Sequence, residues 1–137
     1  MYVSQVKLRV RYAETDRMGY CYYGNYAAYF EVARVEALRG LGITYRSLED
    51  SGILLPVLDF QVKYLKPAYY DDELVIKTTI SEMPSARIRF TYETFNINEE
   101  RLNFAETTLV FVNTTANKPV KAPEELINAL KTHLSNE

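Results

Sequence analysis

The sequence predicts an α+β domain spanning residues 1–137, in which an antiparallel sheet of about five strands wraps around one long central helix. Three observations carry that prediction. A segment with period two opens the chain, a segment with helical period follows it, and four more segments with period two come after it with no long helix between them. Successive strands that lack crossover helices imply antiparallel pairing.

In the first segment Val6, Leu8, Val10 and Tyr12 alternate with Lys7, Arg9 and Arg11, which describes a half-buried strand with a basic outer side. From Tyr26 the interval changes. Tyr26, Tyr29, Phe30, Ala33, Ala37 and Leu41 recur at helical spacing, and Ala28, Val32 and Val35 widen that stripe into a largely buried helix. Asn25 is suited to cap its start by accepting backbone N–H groups, and Gly40 and Gly42 to stop it. A short helical segment is expected from Tyr45 to Asp50. Strand patterns then cover Leu58 to Tyr64, Leu74 to Ile80, Ile88 to Thr94 and Thr107 to Val112, with breaks at Lys66-Pro67-Ala68, Met83-Pro84-Ser85 and Asn98-Glu99-Glu100. The stretch from Pro123 to Leu134 reads as an amphipathic helix, with Pro123 at its first position and Leu126, Ile127, Leu130 and Leu134 on one face. A central helix of about 16 residues measures about 24 Å, and a strand of about eight to eleven residues about 26 to 36 Å, so the sheet is long enough to enclose it.

Composition narrows the function. Sixteen basic and 18 acidic side chains leave a net charge of −2, too little positive field to hold a nucleic acid or an anionic membrane, so an anionic ligand must meet a local cluster. The single cysteine, Cys21, builds no internal disulfide, and no basic segment precedes an apolar run of signal-peptide length; both favour a cytoplasmic location. No apolar run approaches the roughly 20 residues that span a bilayer. The only histidine is His133, near the C-terminus, which argues against a Ser-His-Asp triad, a Cys-His pair or a multi-histidine zinc site. His133 reads as a surface residue, Cys21 as a small apolar packing residue, and Glu31 with Arg34 as an ion pair along one helix.

The chemistry concentrates between Glu14 and Tyr26. Two carboxylates, Glu14 and Asp16, two glycines, and Tyr20, Tyr22, Tyr23 and Tyr26 lie just before or at a helix N-terminus, where free N–H groups and the helix dipole favour negative charge. A thioester carbonyl directed at the amides of Tyr23 and Gly24 would have its developing oxyanion stabilised. Asp16 can then attack the carbonyl carbon or activate a water. A thiol with a pKa of about 8.5 leaves readily without a histidine acid, so the scarcity of imidazole suits thioester cleavage. From the residues alone, Asp16 also reads as a loop carboxylate that caps its own turn.

The run Thr15-Asp16-x-x-Gly19, then Tyr23-x-Asn25-Tyr26 and Tyr29-Phe30-Glu31-x-Ala33-Arg34, resembles the 4-hydroxybenzoyl-CoA thioesterase family of hotdog proteins. So does the later stretch from Tyr64 to Leu74, with its Lys66-Pro67-Ala68 turn and its Asp71-Asp72-Glu73 cluster. The resemblance covers almost the whole chain. It implies a hotdog fold and an acyl-CoA or acyl-carrier-protein thioesterase, with Asp16 as the catalytic carboxylate and the Tyr23 backbone N–H as oxyanion donor. Tyr22, Gly24, Asn25 and Tyr26 would line the substrate site. It further implies a homo-oligomer, dimer or tetramer, paired through its sheets, with coenzyme A entering as part of the substrate and no separate cofactor or metal. Two features depart from the pattern: Tyr23 stands where many relatives carry histidine, and Met83-Pro84-Ser85 replaces a basic hairpin. Lys63, Lys66, Arg87 and Arg89 are the candidate contacts for the coenzyme A phosphates. The alternative is a non-catalytic acyl-CoA binder on the same fold; a hotdog dehydratase would need a histidine that the chain lacks in that region.

Overall fold

The period-two segments assemble into one five-stranded antiparallel sheet in a computed structural model that describes residues 1–134. Along the chain, β1 (Tyr2–Arg9) precedes helix α1 (Tyr26–Arg39) and the short helix α2 (Tyr45–Asp50). Then come β2 (Ile53–Leu54), β3 (Val57–Tyr64), β4 (Glu73–Ile80), β5 (Arg87–Phe95), β6 (Arg101–Val110), β7 (Val112–Asn113), β8 (Lys118–Pro119) and helix α3 (Glu124–Leu134). The large sheet has the order β1-β4-β5-β6-β3, while β2, β7 and β8 form a small separate sheet. With α1 packed on the large sheet, this is the expected hotdog architecture. No helix among the described residues is long and apolar enough to cross a membrane.

Alternation decides which side chains meet the helix. Leu74, Ile76, Thr78 and Ile80 of β4 and Ile88, Phe90, Tyr92 and Thr94 of β5 face inward, where α1 lays down Tyr26, Tyr29, Phe30, Ala33, Ala37 and Leu38. Phe30 is the centre of this contact: its ring stacks on Tyr92 at 4.6 Å and meets Phe60 edge-on at 6.0 Å. Phe30→Ala is therefore expected to destabilise the fold by about 3 to 5 kcal/mol, read by thermal or denaturant unfolding. A loss below about 1 kcal/mol would contradict this packing.

Several expected boundaries move. The first strand begins at Tyr2 and ends at Arg9, and Tyr12 is exposed, because the Arg11 N–H turns to the Glu14 carboxylate instead of continuing the ladder. The last long strand starts at Arg101, earlier than the Thr107 that alternation suggests. A bulge is the reason: Thr94 pairs with Asn103 and Phe95 with Arg101, so Leu102 is the extra residue and the alternation changes phase there. Pro123 stands one residue before α3, whose buried positions are Leu126 and Leu130. Nor is α1 largely buried. Ala27, Ala28, Glu31 and Val32 form a bare strip along it, beside an edge strand β3 that is exposed on both faces. Glu31 and Arg34 form no ion pair; Arg34 is buried and its Nε donates to the Tyr45 hydroxyl at 3.1 Å. His133 lies at the surface, its ring 4.9 Å from that of Tyr2.

Candidate active site

Leaving β1, the chain folds into a loop held by its own polar groups. Val10 keeps one exchange with the β4 approach, donating to the Asp72 carbonyl at 3.0 Å and accepting from the Asp71 N–H at 2.9 Å. A tight helical turn over Tyr12–Glu14 follows, closed by the Thr15 hydroxyl on the Tyr12 carbonyl at 2.7 Å. Asp16 then heads a reversal in which its N–H donates to the Tyr20 carbonyl at 2.8 Å and the Gly19 N–H donates back to the Asp16 carbonyl at 3.0 Å. Gly19 has φ of 81°, a conformation that a side chain resists. The far arm is pinned by the Cys21 N–H on the Ala68 carbonyl at 2.7 Å.

The Asp16 carboxylate is used unequally. Oδ1 accepts the Met18 N–H at 2.9 Å and the Tyr20 N–H at 3.2 Å. Among the described residues nothing donates to Oδ2. One oxygen thus caps the turn, as the residues alone suggest, and the other has no donor.

Tyr22 is extended, with φ −61° and ψ 130°, and Tyr23–Asn25 form a single turn that runs straight into α1. As the first residues of a helical segment, Tyr23 and Gly24 have no intrahelical acceptor for their N–H groups, and no side chain caps them. Asn25 does not act as the cap. It is already helical, with φ −72° and ψ −20°, and its Nδ2 donates instead to the Glu14 carbonyl at 2.7 Å. A Cβ on Gly24 would lie 2.6 Å from Cε2 of Tyr22, so glycine is what allows that ring to lie across the turn.

Asp16, Tyr23, Tyr26 and Lys66 line one cleft of about 250 Å³. Tyr64, Leu65, Pro67 and Ala68 complete its far wall, with Met18 and Tyr20 at the near rim. These were not among the expected site residues, although the Tyr64-to-Leu74 motif contains the far wall. Tyr64 donates to the Tyr23 carbonyl at 3.3 Å and lies edge-on to Tyr26 at 5.7 Å. Burial pushes the Tyr26 phenol well above its ordinary pKa and raises that of Tyr64, so both hydroxyls stay neutral at physiological pH. Burial likewise raises the Cys21 thiol, which packs under the cleft with Sγ 3.5 Å from the Tyr29 hydroxyl.

The other expected contacts are dispersed. Gly24 opens on a second hollow of about 480 Å³ with Ala27, Ala28, Glu31, Arg34 and Phe60, and Tyr22 lines neither space. Of the four basic candidates only Lys66 reaches the Asp16 cleft, where it pairs with Glu100. Lys63 and Arg89 border a hollow of about 590 Å³ on the outer side of the sheet, and Arg89 is engaged by Glu106 and Glu82. Arg87 is exposed at the start of β5. Lys63, Arg87 and Arg89 share the outer face, since residues two apart on a strand face one side and Lys63 and Glu93 both pair with Phe104, whereas Lys66 lies beyond the end of β3.

The family model of the thioesterase-like superfamily matches residues 10–130, from the end of β1 into α3. The chain belongs to the thioesterase-like superfamily. Within that superfamily, the Bacillus subtilis protein YneP is 34% identical over 121 residues, 88% of each chain. The acyl-CoA thioester hydrolase YbgC of Escherichia coli O6:H1 is 33% identical over 124 residues, 90% of this chain and 92% of YbgC. Among solved structures, a DHNA-CoA thioesterase from Staphylococcus aureus superposes with a TM-score of 0.85 at 34% identity, covering 99% of this chain and 86% of that one. The Asp16 loop and the α1 N-terminus both fall inside the span that matches the thioesterase-like superfamily.

Proposed function

We propose that this member of the thioesterase-like superfamily hydrolyses an acyl-CoA or acyl-carrier-protein thioester, with Asp16 as its catalytic carboxylate and the Tyr23 N–H as its main oxyanion donor. The observation that carries the reading is the pairing, around one cleft, of a carboxylate oxygen without a donor and a helix-start amide without an acceptor. The names of the relatives point to the same chemistry. In this scheme the thioester carbonyl oxygen lies on the Tyr23 N–H and Oδ2 of Asp16, from the same cleft, acts at the carbonyl carbon. It either bonds to that carbon, expelling the thiolate and leaving a mixed anhydride for water to open, or takes a proton from a water that attacks in its place. On both routes the C–S bond breaks, the thiolate leaves and the acid is released. No cofactor enters this scheme, because coenzyme A is part of the substrate, and Lys66, the one basic residue among those that line the cleft, is the candidate contact for its phosphates.

The test is thiol release by the purified protein over aliphatic and aromatic coenzyme A thioesters. Turnover on at least one of them is the expected result. Acyl-CoA binding with no turnover would turn the reading toward a binding protein.

The active form is proposed to be a homo-oligomer built on the β3 edge. That strand ends the sheet and exposes Val57, Leu58, Phe60 and Tyr64, next to the bare strip of α1. Val57→Lys places a charge in this surface and is expected to weaken self-association at least about tenfold, measured by size-exclusion chromatography with light scattering. A native protein that is monomeric at every concentration would overturn this proposal.

A further inference from the structure

We propose that Glu14, two residues before Asp16, is a positioning residue that holds the Asp16 carboxylate in register with the α1 N-terminus. The inference rests on the reading of Asp16 given above. Five hydrogen bonds converge on Glu14. Its carboxylate accepts the Arg11 N–H at 2.8 Å, Arg11 Nη2 at 3.1 Å and the Tyr29 hydroxyl at 2.8 Å. Its carbonyl accepts the Tyr22 N–H at 2.8 Å and Asn25 Nδ2 at 2.7 Å.

These donors define what Glu14 does. Arg11 belongs to the arm that enters the Asp16 loop, Tyr22 and Asn25 to the arm that leaves it, and Tyr29 to the first turns of α1. Both arms and the helix are thereby tied to one residue, and the two groups proposed to act on the thioester, the Asp16 carboxylate and the Tyr23 N–H, lie between those ties. The Glu14 side chain is only 12% exposed, whereas Arg11 is 77% exposed, so the ion pair itself adds little. The directional bonds from the Tyr29 hydroxyl and the Arg11 N–H set the geometry. Burial pulls the Glu14 pKa up, but the hydrogen bonds from Arg11 and Tyr29 outweigh it and hold it below the ordinary glutamate value, so the acceptor is ionised at neutral pH. A displacement of about 1 Å in a reacting group can cost about a hundredfold in rate, which gives a support of this kind a kinetic effect without any contact to substrate.

The experiment measures thiol release for Glu14→Ala, Glu14→Gln and Tyr29→Phe, each made in the native and the Asp16→Asn backgrounds, with unfolding temperatures alongside. Expected results are a fall in kcat of about ten- to a hundredfold for Glu14→Ala with KM within about twofold, a smaller fall for Tyr29→Phe, and substantial rescue in Glu14→Gln, which keeps an acceptor for Tyr29. In the Asp16→Asn background Glu14→Ala should cause no further loss. Tyr29→Phe keeps the buried ring and removes only the hydroxyl, so it carries the test if Glu14→Ala does not fold. Undiminished kcat in both of these variants, or an equal loss in both backgrounds, overturns the positioning role. If Asp16→Asn abolishes turnover while the Glu14 and Tyr29 variants keep it, this inference fails alone; if Asp16→Asn turns over like the native protein, the reading of Asp16 fails and takes this inference with it.

Discussion

Asp16→Asn is expected to lower kcat on the best thioester by about 10²- to 10⁴-fold, the range of a lost acid–base or nucleophilic group. Asparagine is the informative replacement. Its side-chain carbonyl can still accept the Met18 and Tyr20 N–H groups that now meet Oδ1, so the turn persists while the second carboxylate oxygen is replaced by an amide nitrogen. Alanine would remove both functions together and confuse a rate effect with a loosened loop. The measurement is steady-state thiol release with the unfolding temperature as control. A native rate in the variant would assign Asp16 to turn capping alone.

The second large effect is expected at a backbone group. Tyr23→Pro deletes the N–H together with the ring that lines the cleft, while the backbone is kept, because Tyr23 opens the helical turn, where proline is well accommodated, and Tyr22 already has the extended geometry that a following proline demands. Loss of an oxyanion donor costs about 10² to 10³ in kcat, and that is the expected fall. Tyr23→Ala, which loses the same ring but keeps the amide, should stay within a few-fold of native. Native rates in both variants would show that the carbonyl oxygen is held elsewhere; equal losses would shift the role to the side chain.

Much of this fold was legible because burial on one face leaves a periodic trace. The segments at Leu74 and Ile88 obey period two throughout and became β4 and β5 almost residue for residue. The trace fails where geometry changes locally. At Leu102 a bulge shifts the phase and hides the first half of β6, and at Arg11 a side-chain acceptor captures the backbone and ends β1 early. The bare side of α1 was unreadable for a different reason: Ala28 and Val32 look the same in sequence whether a sheet or a second chain covers them. That Asp16, Tyr23 and Tyr26 lie close together was legible because a helix start after a glycine-containing loop is a local pattern. Tyr64 and Ala68 reach the cleft only through tertiary folding, and a list of basic residues does not show that Lys63, Arg87 and Arg89 lie on outer strand faces while Lys66 lies beyond β3 at the cleft. Glu14 was visible only as a second carboxylate, since its partners, Arg11 to Tyr29, are joined by the fold.

The unequal use of the Asp16 oxygens also turns two amides into reporters. The Met18 and Tyr20 N–H groups are held by Oδ1 in the resting protein, so their hydrogen-exchange rates register how firmly that carboxylate is oriented before any ligand arrives. Slow exchange at both would mean that the ordering entropy of the carboxylate is settled during folding and is not charged again in each catalytic cycle. The readiness of the loop would then be measurable, amide by amide.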